Sequence, residues 1–250
     1  MGLKGSVALV TGAGRGIGAA TARRLAAEGA AVLVSDIDLE PAQKTASAIE
    51  AEGGRALAAA CDVSRREEVE ALVERARVEL GGLDVLVACA GLVRDNLLHK
   101  MTEEDWDLVI DTHLKGTFLC AQAAQRPMVE QRSGKMVFIS STSALGNRGQ
   151  SNYSAAKMGI QGLARTLAIE LGRFNVNVNV VAPGFIETRM TRATAQRMGL
   201  TYEQLEEAAV AAIPLGRTGR PEDVAGVIAF LAGEDAGYVS GQTIYVRGGP

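Results

Sequence analysis

Three side chains of complementary chemistry lie within eighteen residues, Ser140 to Lys157, in the stretch SSTSALGNRGQSNYSAAK. A hydroxyl, a phenol and an ammonium brought to one place can steady a carbonyl oxygen and move a proton on or off it. The obstacle is the phenol of Tyr153, since an unperturbed tyrosine has a pKa of about 10 and is a reluctant base near neutrality. An ammonium about 5 Å away, at an effective dielectric of about 20, favours phenolate by roughly 3 kcal/mol, or about 2 pKa units. Lys157 is therefore expected to acidify Tyr153. A Tyr-x-x-x-Lys pair arises about 0.1 times by chance at this composition, so the surrounding elements must carry the argument.

Those elements are legible on both sides of the stretch. Lys135-Met-Val-Phe-Ile139 reads as a short buried strand that delivers Ser140 to a sheet edge, and Met158 to Leu171 carries apolar residues at helical spacing. Tyr153 and Lys157, four apart, then share one helix face.

A second constellation lies at the start of the chain. Val7-Ala-Leu-Val-Thr11 reads as a buried strand running into Gly12-Ala-Gly-Arg-Gly-Ile-Gly18 and then a helix ending near Glu28. Strand, glycine turn and helix together present backbone N–H groups and a positive helix end to phosphate. Gly12 permits the turn, Gly16 lets the backbone approach a pyrophosphate, and Gly18 lets helix and strand pack closely. Asp36 stands at the end of the next strand, Ala31 to Ser35, where a carboxylate accepts hydrogen bonds from ribose hydroxyls and repels a 2′-phosphate. NAD is thereby expected over NADP, although Arg15 could pair with the same phosphate.

The remaining chain keeps the rhythm. A third strand, roughly Arg55 to Cys61, ends at Asp62-Val63, where Asp62 is either a turn residue or an adenine contact. Ser64-Arg-Arg-Glu67 has the form of a capping box, opening a helix with an apolar stripe of Val69, Leu72, Val73, Ala76 and Leu80. Gly81-Gly82 stops it before a fourth strand, Leu83 to Ala88. Thr102-Glu-Glu-Asp105 starts a long helix through His113 to about Gln131, and His99 reads as surface. Asn175 to Val181 is a sixth strand ending at Pro183-Gly184, and Thr243 to Val246 is the last. Between them, 189–213 reads as a helical substrate lid with a capping box at Thr201-Tyr-Glu-Gln204, and Met190, Met198, Leu200 and Tyr202 face the question of what it covers. Strand and helix alternating in this way call for right-handed crossovers and a parallel sheet with helices on both faces.

Composition narrows the function classes. The chain has 250 residues, 47% of them hydrophobic, and a formal charge of −3 without a basic cluster, so one α/β domain is expected and nucleic acid is not an expected partner. No run has the length of a membrane span and the first strand begins by about Ser6, so a soluble cytoplasmic protein is expected, with no membrane partner. Cys61, Cys89 and Cys120 lack metal-ligand spacing and read as buried small hydrophobes; no metal site is expected.

Thr11-Gly12-x-x-x-Gly16-x-Gly18, Ser140, Tyr153-x-x-x-Lys157 and Pro183-Gly184, in this order, resemble the short-chain dehydrogenase/reductase family over essentially the whole chain. Gly91-Leu-Val-Arg-Asp-Asn96, Pro183-Gly-Phe-Ile-Glu-Thr188 and Tyr238-Val-Ser-Gly-Gln242 look most like its 3-oxoacyl-(acyl carrier protein) reductases. The resemblance implies a single-domain doubly wound Rossmann fold with a seven-stranded parallel sheet. It implies that Ser140, thirteen residues before Tyr153 and preferred for that spacing over the adjacent Ser141, holds the substrate oxygen. Tyr153 would be the general acid and base, and Lys157 would acidify it and hold the nicotinamide ribose. Gly12, Arg15, Gly16 and Ile17 would cradle the dinucleotide, and Asp62 and Val63 would bracket adenine. Cys89, Ala90, Gly91, Pro183 and Gly184 would supply further contacts, and Ile186 and Thr188 would hold the carboxamide. The implied activity interconverts a secondary alcohol and a ketone, with a 3-oxoacyl thioester, a sugar, a steroid or another secondary alcohol as substrate. A catalytically silent nucleotide-binding regulator is the reading from another class. Homotetramers joined through the two long helices are implied as well.

Two positions depart from the family pattern. Ala88-Cys89-Ala90-Gly91 stands where Asn-Asn-Ala-Gly is usual, and His113 stands where the long helix usually carries an active-site asparagine. The asparagine's backbone carbonyl is thought to hold a water leading to the lysine, and a histidine carbonyl would serve equally. The imidazole either adds a titration near pH 6.5 or merely packs.

Overall fold

A computed structural model describes residues 2–197 and 199–250; Met198, one of the residues expected in the lid, lies outside them. Seven strands, β1 (Val7–Thr11), β2 (Ala31–Asp36), β3 (Arg55–Ala60), β4 (Val85–Ala88), β5 (Gly134–Ile139), β6 (Val176–Pro183) and β7 (Thr243–Val246), form one sheet in the order β3-β2-β1-β4-β5-β6-β7. Every pairing is parallel. The strands run in near-continuous apolar residues because both faces are covered. Alternation still sorts them: Val7 and Leu9 join one core, and Ala8 and Val10 the other.

The first core is closed by α3 (Arg66–Arg75), α5 (Gly116–Glu130) and α6 (Ser151–Gly172), which contribute Leu72, Leu119, Met128 and Ile160. The second is closed by α1 (Gly16–Ala27), α2 (Leu39–Ala51) and α9 (Pro221–Ala232), through Leu25, Ile49, Ile228 and Leu231. The expected stripe from Val69 to Leu80 is buried throughout, and Gly81, at φ 99°, takes the left-handed conformation that ends the helix.

Local chemistry differs from expectation at the start of α3. The Ser64 hydroxyl donates to Asp62 Oδ1 at 2.7 Å instead of capping the helix, which begins only at Arg66. Asp62 is two residues from the hydroxyl and closes a tight turn, outcompeting the backbone N–H groups farther on. The long helix after Thr102 is also not uniform. Thr102 caps α4 (Glu103–Ile110) by accepting from Asp105 N, but residues Asp111–Lys115 form a π-helical turn before α5 begins. Such turns insert a residue and rotate the side chains beyond them. Here the turn carries His113.

The 189–213 segment forms two helices, α7 (Arg189–Arg197) and α8 (Tyr202–Ala212), the second with the expected capping box between Thr201 and Gln204. No described helix is long and apolar enough to cross a membrane.

Candidate active site

Strand order reverses between β1 and β4, and at the carboxyl edge of a parallel sheet this reversal opens a crevice. The glycine turn after β1 borders it. Gly12 adopts φ 62°, and a Cβ there would come within 2.6 Å of the Ala90 backbone; a Cβ on Gly18 would lie 2.2 Å from the Gly12 carbonyl oxygen. Glycine is thus required sterically at both places. The first turn of α1 has no side-chain cap, so its N–H groups remain available to an anion, as a pyrophosphate site requires. Arg15 and Ile17 flank Gly16 at this turn. A Cβ on Gly16 would stand 3.5 Å from Thr188 Cγ2, which brings the chain after β6 over the turn.

Asp36 sits at the end of β2 with both carboxylate oxygens engaged: Oδ2 accepts from Gly14 N at 3.0 Å and Oδ1 from Asp38 N at 3.2 Å. Arg15 is held by Asp38 at 3.2 Å. The guanidinium therefore stands next to a second carboxylate, and the edge of the crevice is acidic. Asp62 is less free than its position suggested. Burial raises its pKa, but hydrogen bonds from the Ser64 hydroxyl and backbone and the nearby Arg65 outweigh this and hold it below the usual range. Its carboxylate is committed to the turn. Val63 is buried against the start of α5, where a Cβ on Gly116 would lie 2.8 Å from its side chain.

At β4, Thr11 does work that the sequence reading did not assign to it. Its hydroxyl accepts from Cys89 N at 3.1 Å and Ala90 N at 3.3 Å, tying the strand end in place where side-chain amides are missing. Burial pushes the Cys89 thiol up to about 11, so it is a neutral packing group. Gly91 lies against His113, whose Cε1 would be 2.2 Å from a Cβ at that position. Pro183 ends β6, Gly184 N donates to Val246 O, and Ile186 is buried. Thr188 and Thr191 exchange hydrogen bonds that fix the entry to α7.

Helix α6 brings Tyr153 and Lys157 to the same edge. The Lys157 ammonium lies 5.4 Å from the Tyr153 ring centroid and donates to the Ile139 carbonyl at 2.7 Å. Asn152, fully buried and unforeseen in the sequence, orients the start of the helix: its Oδ1 accepts from Tyr153 N, while its Nδ2 donates to the Arg94 and Asp105 carbonyls. The imidazole of His113 meets the Tyr153 ring edge-on, with centroids 5.1 Å apart.

The two serines divide in a way that corrects the spacing argument. Ser140 is buried, its hydroxyl donating to the Lys157 carbonyl at 2.8 Å and accepting from Gln161 Nε2 at 3.1 Å. Its proton is spent on helix backbone. Ser141 Oγ accepts from Ser143 N at 3.1 Å, which leaves its proton uncommitted, and its hydroxyl stands on the side of the Tyr153 phenol, whose pKa it lowers against burial. The thirteen-residue spacing selects Ser140, but consecutive residues at a strand end face opposite ways, and the one facing Tyr153 is Ser141.

Burial opposes the expected acidification of Tyr153. Burial pushes the phenol up to about 12 against the opposing hydrogen bond from Ser141, and Asp95 and Cys89 push the same way. Burial likewise pushes Lys157 down to about 8. The Coulomb argument omitted dehydration, which for enclosed groups is the larger effect. His113 follows the same rule: burial, reinforced by Lys157, holds it well below 6.5, so it is neutral at physiological pH and adds no titration there. Its Nε2 lies 2.7 Å from the Leu92 carbonyl.

Comparisons with known proteins bear on the family and the fold. The family profile described as Enoyl-(Acyl carrier protein) reductase matches residues 12–250. The chain is 47% identical over 244 residues to the short-chain reductase protein NovJ of Streptomyces niveus, covering 98% of this chain and 93% of that one. It is 44% identical over 250 residues to the 3-oxoacyl-[acyl-carrier-protein] reductase FabG of Thermotoga maritima, covering 100% and 99%. A crystal structure from Sinorhizobium meliloti 1021, assigned provisionally as a short-chain alcohol dehydrogenase, superposes with a TM-score of 0.93 at 38% identity over 99% of this chain and 96% of that one.

Proposed function

Because the chain belongs to the short-chain dehydrogenase/reductase family, we propose that this oxidoreductase interconverts a secondary alcohol and a ketone using NAD(H), with a 3-oxoacyl thioester as the favoured ketone. The observation that carries the reading is the placement of Tyr153 beside Lys157 at the edge of a glycine-turn crevice, with the uncommitted Ser141 hydroxyl on the phenol's side.

In reduction, Ser141 donates a hydrogen bond to the carbonyl oxygen and Tyr153 delivers its proton to that oxygen as negative charge develops. The hydride would come from a dihydronicotinamide when one is bound. A phenol held near 12 is fully protonated at neutral pH, which suits the donor role. Lys157, lowered to about 8 and anchored on Ile139 O, exchanges protons readily and stands where it can replenish Tyr153. In the reverse direction the same groups take the proton. Asp36 and Asp38 support NAD over NADP, since a 2′-phosphate would meet two carboxylates and an arginine already paired. The uncapped first turn of α1 would hold the pyrophosphate, with Gly12, Gly16 and Ile17 around it.

We assign 189–213 as the substrate lid of a single catalytic unit spanning the chain. A second copy of the chain is the partner favoured by the faces of α4, α5 and α6, where Trp106, Leu108, Phe118 and Ile169 are exposed. The homotetramer and the cytoplasmic setting rest on the family resemblance. The test is consumption of reduced nicotinamide with a panel of 3-oxoacyl thioesters and simple ketones, against a Tyr153→Phe control. Turnover lost in the control supports the assignment; equal rates in both proteins overturn it.

A further inference from the structure

Asp95 occupies the loop between β4 and α4 and faces two ways. Its Oδ2 pairs with Arg197 at the end of α7, 3.4 Å away and 102 residues distant in the chain. Its Oδ1 is buried and has no partner among the described residues. A carboxylate with one oxygen sequestered and the other held by a single cation depends on that cation for its neutralisation. The same loop is seated against the start of α6, where Asn152 Nδ2 donates to the Arg94 carbonyl at 2.9 Å and Asn96 bridges to Gln150, so the carboxylate lies toward Tyr153 and raises the phenol's pKa.

Resting on the role assigned above to Tyr153, we propose that Asp95 and Arg197 are positioning residues for proton transfer: by pairing with Asp95, the lid helix α7 sets the negative charge that Tyr153 faces. The other groups bearing on the phenol come from fixed elements. Ser141 follows β5, Cys89 follows β4, Lys157 lies on α6, and His113 lies on the π-turn between α4 and α5, neutral. Of these influences, the charge on Asp95 alone is answered from the lid. Arg197 is about two-fifths exposed, so its pairing is readily broken when the lid shifts. With the pair formed, Asp95 is partly neutralised and the phenol gives up its proton more easily. With Arg197 withdrawn, the unpaired carboxylate holds the proton on Tyr153. Lid position and proton transfer are thereby coupled through one contact.

The test compares wild type, Asp95→Asn, Arg197→Gln and the double variant by the pH dependence of kcat/KM for NAD-dependent alcohol oxidation, with hydrogen exchange of residues 202–212 as a second readout. At a fixed pH on the rising limb, Asp95→Asn is expected to raise kcat/KM about threefold and Arg197→Gln to lower it about threefold, each about half a pKa unit. The double variant should match Asp95→Asn, Arg197→Lys should restore the wild-type profile, and exchange of α8 should quicken in both single variants. Superimposed profiles, displacement in the same direction by both variants, or a uniform loss without displacement would overturn the proposal. Absence of wild-type turnover with any alcohol would instead overturn the reading of the site itself.

Discussion

Replacing each of the adjacent serines in turn separates catalysis from scaffolding. Ser141→Ala removes the hydroxyl whose proton is free and faces Tyr153, while its other contact, the hydrogen bond from Ser143 N, is partly exposed and replaceable by water. Loss of one such donor to a developing oxyanion costs about 3 kcal/mol, so kcat should fall about 100- to 1,000-fold with little change in Tm. Ser140→Ala removes a buried hydroxyl satisfied at both ends, leaving Gln161 Nε2 and the Lys157 carbonyl without it. That costs about 1–3 kcal/mol of stability. With an unfolding entropy of about 2.1 cal/mol/K per residue, a chain of this length should lose roughly 2–6 °C in Tm. Its kcat should stay within about tenfold of wild type, because the lost bond touches Lys157 through backbone only. Steady-state kinetics and differential scanning calorimetry on both variants measure the two effects. A Ser140→Ala protein of wild-type Tm and 100-fold lower kcat, beside an active Ser141→Ala protein, would refute the reasoning.

Asp36→Ser should shift the NAD to NADP ratio of kcat/KM toward NADP by roughly 10- to 100-fold, since it removes the carboxylate proposed to face the ribose, even with Arg15 still held by Asp38; an unchanged ratio would reassign the selectivity. Lys157 titrates near 8 in the fold and about 10.5 when unfolded, so between these values the unfolded chain binds more protons and stability rises with pH. Wild type should gain up to about 3 kcal/mol over that window relative to Lys157→Met, measured by urea denaturation at several pH values; parallel curves would place the lysine pKa elsewhere. His113→Asn should leave the shape of the kcat–pH profile unchanged between pH 5.5 and 8 (about the range in which a free imidazole titrates), because the imidazole is already neutral there. The variant should lower Tm, since a buried ring that packs on Tyr153 is lost.

Sequence periodicity and turn chemistry were enough to locate the seven strands, the glycine turn and the shared helix face of Tyr153 and Lys157, because each depends on residues close in the chain. Gly18 illustrates this: the atoms that exclude a Cβ there belong to Gly12 and Ala13, within the turn itself, whereas those that exclude one at Gly12 belong to Cys89 and Ala90 and come from the neighbouring strand end. What required tertiary structure were quantities that depend on residues remote in sequence. Which of two adjacent serines faces the phenol depended on how β5 meets α6. The direction in which Tyr153 and Lys157 shift depended on how completely they are enclosed, and dehydration is a property of the packed fold. The neutrality of His113, the tying of Cys89 and Ala90 by Thr11, and the pairing of Asp95 with Arg197 share that origin. A linear pattern records which groups are near along the chain, whereas burial and charge compensation are set by segments that only folding brings together.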